Sequence, residues 1–290
     1  MIKKMCIAKI LCLVTFLLSI TSCSKTNEIV TDDSSGDLNS FENYLKTNVD
    51  FIHKINGFYI VGSAEKPTSP ERTSNTTGKD VFDHAVRLFS SFLDENNDGI
   101  VDEDKKQLNT QMAKTVMFIS GPLNMVDNIS ESSQVRNKGL YGLSMQTDNW
   151  PYVKEYNGKG WTIGRLTSST WRPENMNALW EEVFHTITEA ISRSDDDFAF
   201  TEGKQLRLFM EDDITEETYD ISEQNAEENG NYDKVTAVNE YIHQIWAINF
   251  AGQKSKLNTH QKKALEFMEM KKVPMQVNAS YTNTIGTRIK

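Results

Sequence analysis

The sequence predicts an α+β fold in which helices predominate, and three observations carry that prediction. Apolar residues recur at three- and four-residue steps over residues 81–93, 176–191 and 235–250, the period of a helix with one face in a core. Two short runs, Phe58-Tyr59-Ile60-Val61 and Val116-Met117-Phe118-Ile119, have the length and composition of buried strands. Both kinds of segment are mixed along one chain without an internal repeat, which points to a single domain rather than an array.

The chain opens on a basic stretch with Lys3, Lys4 and Lys9, continues through a mostly apolar run over residues 10–20, and reaches the small residues Thr21 and Ser22. That order marks an export signal, and the apolar run is too short to remain in a bilayer. Ile20-Thr21-Ser22-Cys23 resembles the bacterial lipobox. The resemblance implies removal of residues 1–22, lipid on Cys23, and a membrane-anchored protein of the bacterial cell envelope, on the periplasmic side or at the cell surface. A soluble secreted protein cut nearby is the alternative. The few acidic groups that follow Cys23 lean towards surface display.

Cysteine usage agrees with export. Cys6 and Cys12 fall in the removed segment and Cys23 is the lipid site, so no disulfide remains. The mature domain must hold together through its core or through bound metal. Residues 1–22 carry three lysines and no acid, so their loss takes the net charge from −10 to −13. Such an acidic body excludes nucleic acid as a natural partner and suits cations.

Residues 23–37 read as a lipidated flexible tether, because 24–37 carry almost no large apolar group. Residues 38–290 then form the globular domain. Phe41, Tyr44, Leu45, Phe51 and Ile52 predict a first helix, followed by the strand at 58–61 and a loop rich in Pro, Ser, Thr and Gly at 66–79. Val81 to Leu93 forms a better-defined helix. Leu108 and Met112 mark a short helix, 116–119 a buried strand, and 139–170 a region of loops and short strands. Two long helices follow, about 173–193 with Pro173 in its first turn and about 233–251, separated by an acidic, solvated stretch. Met268-Glu269-Met270 is ordinary helix material, and the chain from Gln276 reads as extended or frayed.

The helix at 81–93 runs into Asp94-Glu95-Asn96-Asn97-Asp98-Gly99-Ile100-Val101-Asp102, which matches an EF-hand calcium loop at six positions. Asp94, Asn96 and Asp98 can converge their oxygens on a hard cation, Gly99 allows the sharp turn, Ile100 offers its carbonyl, Asp102 closes the run, and Val101 packs inward. The bidentate acid expected at the twelfth position is Lys105, so Asp104, Glu103 or water must complete the shell. The same residues also suit a metal-free turn. His84, one turn inside the helix, reads as a core or edge histidine.

A second constellation lies on the helix at 173–193. Met176, Leu179, Trp180, Val183, Phe184, Ile187 and Ile191 form its apolar stripe, and Glu181, Glu182, His185 and Glu189 lie opposite. Glu181-Glu182-Val183-Phe184-His185 resembles the His-Glu-x-x-His helix of zinc metallopeptidases with glutamate in place of the first histidine. That resemblance implies zinc held by Glu181 and His185, one turn apart, with Glu182 as general base. The extra negative charge makes a bound water less acidic. On the later helix Val235, Val238, Tyr241, Ile242, Ile245, Trp246, Ile248 and Phe250 cover more than half the circumference, leaving Glu240 on a strip of small residues that admits another helix. Asn239-Glu240 resembles the gluzincin segment that supplies a third zinc ligand, which implies Glu240 in that role. His243 is a weaker rival, and a salt bridge would satisfy Glu240 equally well.

Together, the acidic loop at 94–102, Glu181 to Thr188 and Glu240-Tyr241-Ile242 resemble, in the same order, a family of uncharacterised exported proteins. In that family a Gly-Tyr pair stands where this chain has Ala190-Ile191. Three classes of function follow. One is a lipid-anchored calcium-binding protein with a zinc site of metallopeptidase type acting on a peptide or protein substrate. Another is a non-catalytic surface binding protein on the same scaffold. The third is a metal-free structural lipoprotein. Trp150, Trp161, Trp171 and His260 have no motif context.

Overall fold

The computed structural model describes residues 34–65, 77–146, 165–167, 170–174, 178–221, 227–228, 231–277 and 281–290. Cys23, the export signal, most of the tether, most of the 66–79 loop, Trp150, Trp161 and Met176 lie outside the described residues. The protein is helix-rich α+β, as the periodicities predict, with one five-stranded sheet.

Helix α1 (Ser34–Asn48) starts four residues ahead of the predicted position. Phe51 and Ile52, expected at its end, instead open β1 (Phe51–Ile55), which pairs antiparallel with β2 (Phe58–Gly62). The reversal is made by Asn56 and Gly57, both with positive φ (44° and 97°), the conformation a two-residue hairpin needs. Helix α2 (Gly78–Leu93) begins at a capping box between Thr77 and Asp80. After the acidic loop and one 3-10 turn, α3 (Lys106–Thr115) leads into β3 (Val116–Gly121), parallel to β2. Two short helices that the sequence reading missed, α4 (Leu123–Ser130) and α5 (Ser133–Asn137), precede β4 (Tyr141–Gln146), parallel to β3.

Strands β2 and β3 are buried on both faces, which is why they read as unbroken apolar runs. Tyr59, Val61, Met117 and Ile119 pack towards α1, α4 and α5. Phe58, Ile60, Val116 and Phe118 face the larger core, where Phe89 of α2 meets both Phe58 and Phe118 edge-on at 4.9 and 5.2 Å.

The helical half follows one small hairpin, β5 (Arg165–Thr167) with β6 (Thr170–Glu174), and contains a second, β7 (Glu227–Glu228) with β8 (Asn231–Tyr232). Pro173 belongs to β6, and α6 (Ala178–Ser194) is described only from Ala178, so proline does not open that helix. The predicted stripe of α6 is buried from Leu179 to Ile191. The acidic stretch beyond it is more structured than its composition suggests. It contains α7 (Gln205–Thr215), whose Asp213 is fully buried and accepts hydrogen bonds from Tyr241 Oη (2.7 Å), Asn258 Nδ2 (2.8 Å) and Thr218 Oγ1 (3.0 Å). Helix α8 (Lys234–Phe250) lies between α6, α7 and α9 (Thr259–Met270).

The C-terminal segment is extended but not frayed. Strand β9 (Thr287–Arg288) adds to the edge of β1, giving the sheet order β4-β3-β2-β1-β9. Gly286 (φ 91°) is required there, since a Cβ would stand 2.3 Å from the Lys54 carbonyl oxygen. Arg288 pairs with Asp83 at 3.1 Å, its guanidinium over the Phe82 ring.

Candidate metal centre

The α6 stripe faces the core, which leaves its polar edge against α8. The two helices run antiparallel, since Thr188 meets Asn239, His185 meets Glu240, and Glu181 meets His243. Thr188 Oγ1 donates to Asn239 Oδ1 at 2.7 Å, a buried bond that fixes the helix register one turn from the site. Phe184 and Trp246 stack at 4.7 Å below, and the His243 ring lies between them and His185.

Donor atoms of Glu181, His185, Glu240 and His243 lie within 4.8 Å of one another. His185 Nε2 is 3.7 Å from Glu240 Oε1, and His243 Nδ1 is 3.9 Å from Glu181 Oε1. Both separations are too long for a hydrogen bond. They approach the edge of a tetrahedron with zinc–ligand bonds of about 2.0–2.1 Å, which is roughly 3.3–3.4 Å. His185 Nε2 and His243 Nδ1 are buried with no hydrogen-bond partner among the described residues. Each such orphan costs on the order of 1–3 kcal/mol.

Electrostatics keeps the imidazoles neutral. Burial pushes His185 below the ordinary histidine value, partly opposed by Glu240 and Glu189, while burial and His185 hold His243 well below it. A neutral imidazole retains a lone pair for a cation. Glu182, next to both α6 donors, has its carboxyl pushed up to about 8 by burial and by Glu240. The donor set therefore fits a borderline-soft divalent cation such as zinc, for which imidazole and carboxylate are ordinary ligands. Glu189, by contrast, is engaged by Arg193 at 2.7 Å.

Of the residues singled out from the sequence, Glu181, His185 and Glu240 converge, with Glu182 alongside. The residue undervalued was His243. Its signal was the repeated Glu-x-x-His spacing, Glu182 to His185 and Glu240 to His243, which puts a carboxylate and an imidazole one turn apart on both helices.

The acidic loop makes the turn expected at Gly99. Asn97 (φ 62°) and Gly99 (φ 88°) are left-handed, Val101 is buried, and Ile100 is 66% exposed. The buried Asp94 accepts from Asp98 N (3.1 Å), Gly99 N (2.8 Å) and Tyr281 Oη (2.8 Å). Asn96 Oδ1 accepts from Asp98 N, Asp98 Oδ1 from Ile100 N, and Asp102 from Glu95 N and Asn96 Nδ2. The loop carboxylates thus face its own amides and do not converge as the α6–α8 donors do. Asp104 and Glu103, the candidates to replace the acid missing at Lys105, pair with Lys105 and Lys106. His84 is held down to about 4, mainly by burial, in keeping with a histidine at a core edge.

One further group converges, Asp213, Glu216 and His260, but both Asp213 oxygens are already hydrogen-bonded. No helix among the described residues is long and apolar enough to cross a membrane. No family model, curated protein or solved structure matches the chain.

Proposed function

We propose that the protein is a lipid-anchored, extracytoplasmic metalloprotein of the bacterial envelope, with a transition-metal site, zinc by preference, between α6 and α8 and calcium in the Asp94–Asp102 loop. The observation that carries this reading is the pair of buried, partnerless imidazole nitrogens, each facing a glutamate at a distance suited to a shared cation. Left to themselves, two such nitrogens destabilise the fold; around a metal they become its ligands. The Cys23 segment supports the anchor, and left-handed Asn97 and Gly99 support the calcium loop.

The reaction that suits this centre is hydrolysis of a peptide or protein substrate. Zinc, when bound, supplies carbonyl polarisation and a more acidic water. Glu182, close enough to Glu240 to feel its charge, would be ionised by a bound cation and would then serve as general base, taking a proton from the attacking water and returning it to the leaving amine. A second reading, a non-catalytic binding protein, is favoured by the number of protein donors, because four fill a tetrahedral shell and catalytic zinc keeps a position open.

Metal content and Glu182→Gln together test the proposal. The purified protein is expected to hold about one zinc per chain and to melt lower when it is stripped. Glu182→Gln should keep the zinc and lose peptide hydrolysis by about 100-fold or more. A stripped protein that neither rebinds zinc nor changes its melting temperature ends the metal reading. Zinc retained with hydrolysis unchanged in Glu182→Gln removes Glu182 from catalysis.

A further inference from the structure

The four donors between α6 and α8 are not equivalent. His243 and His185 form the floor, their side chains only 2% and 7% exposed, and His243 is wedged against Phe184 and Trp246. Glu181 and Glu240 form the rim, at 25% and 21% exposure. Glu240 is the nearer carboxylate to His185 and lies one helical turn from His243 on α8. Glu181 is slightly the more exposed of the two and stands 3.9 Å from its imidazole, against 3.7 Å for Glu240.

We propose that His243 supplies, from the second helix, the imidazole that α6 lacks at position 181, so that the working ligands are His185, His243 and Glu240 and Glu181 is the donor that gives way to water or substrate. This inference rests on the reading of the α6–α8 cluster as a transition-metal site. It resolves two difficulties at once. Two neutral imidazoles and one carboxylate form a donor set that zinc hydrolases use, carrying one negative charge where Glu181, His185 and Glu240 carry two, so the ion remains a stronger Lewis acid. Because Glu181 lies on the rim, a shell of four donors can open towards solvent there without disturbing the aromatic floor. Buried, ring-packed histidines make poor leaving ligands, whereas a rim carboxylate can move by side-chain rotation without repacking the core.

The test uses the full chain in detergent, stripped and reloaded with cobalt(II) or zinc(II), with affinity read by competition against a chelator. His185→Gln, His243→Gln and Glu240→Gln should each weaken binding about 100-fold or more, and Glu181→Gln by less than about 10-fold. Wild-type affinity in His243→Gln overturns the inference and restores the set of Glu181, His185 and Glu240. A loss in Glu181→Gln as large as in the histidine variants also overturns it, in favour of a permanently closed shell. No binding by the wild type removes the metal reading itself, and this assignment with it. If His243→Gln does not fold, the cobalt-loaded wild type is examined by proton NMR. Two strongly shifted, exchangeable imidazole N–H signals are expected, and a single one rejects His243 as a ligand.

Discussion

Tyr281 Oη donates to Asp94 Oδ2 at 2.8 Å, joining the C-terminal segment to the first residue of the acidic loop across 187 positions. The contact is not isolated. Asn283 Nδ2 donates to the Asn97 carbonyl at 2.8 Å, and Ile285 N donates to Ser90 Oγ at 3.1 Å. Burial and Asp94 together raise the Tyr281 phenol above its ordinary range, so it stays a donor at physiological pH. Tyr281→Phe keeps the ring and removes a hydrogen bond to a carboxylate, a class worth about 1.5–3 kcal/mol. The expected loss in urea unfolding is on the order of 1–2 kcal/mol, and an unchanged midpoint contradicts it.

Calcium occupancy should be visible as stabilisation. At a calcium concentration 100 times its dissociation constant, bound ligand adds about 2.7 kcal/mol. Asp94→Ala and Asp98→Ala each remove a side-chain oxygen at the loop's odd positions and should abolish the calcium-dependent rise in melting temperature. A rise that persists in both variants removes calcium from the loop.

Thr188 and Asn239 set the register of the two helices that carry the metal donors. Thr188→Val leaves Asn239 Oδ1 buried without its donor, at a cost of about 1–3 kcal/mol. Thr188→Val combined with Asn239→Leu should cost less than the two single changes added together, because both ends of the bond go at once. Strict additivity in denaturant unfolding means the bond contributes nothing to register.

Acid should destabilise the fold through its buried histidines. His84 is held at about 4 in the native state against about 6.5 when unfolded, so protonation favours the unfolded chain. Its contribution is therefore complete above about pH 6.5 and disappears as the pH falls towards about 4. With about 1.36 kcal/mol per unit, and allowance for partial exposure, the loss is on the order of 2–3 kcal/mol. His53 shifts in the same direction through burial. Stability followed from pH 7 to 4 should fall less steeply in His84→Gln; parallel curves rule out this histidine.

Much of the fold is legible in the sequence because it depends on local periodicity. The stripe from Leu179 to Ile191 and the runs in β2 and β3 bury the side chains their spacing predicts. Asn56-Gly57 was equally readable as a hairpin turn, yet Phe51 and Ile52 continue the apolar spacing of α1 closely enough to hide β1. Asp213 could not be foreseen as buried, because its partners come from residues 218, 241 and 258. The role of His243 was hidden for a related reason. Apolar residues cover more than half of the α8 circumference, so periodicity did not reveal which of its edges meets α6.

The pairing of β9 with β1 covers a sheet margin with residues from far along the chain. His53 Nε2 meets the Ile285 carbonyl across 232 positions, and Lys290 Nζ reaches the carbonyls of Lys46 and Val49 at the end of α1. Until residues 281–290 have been made, the outer margin of β1 has unpaired amides and carbonyls, the kind of template that recruits another polypeptide. Nascent chains released early would therefore be the sticky ones, and this region should be the last to gain protection from hydrogen exchange during refolding.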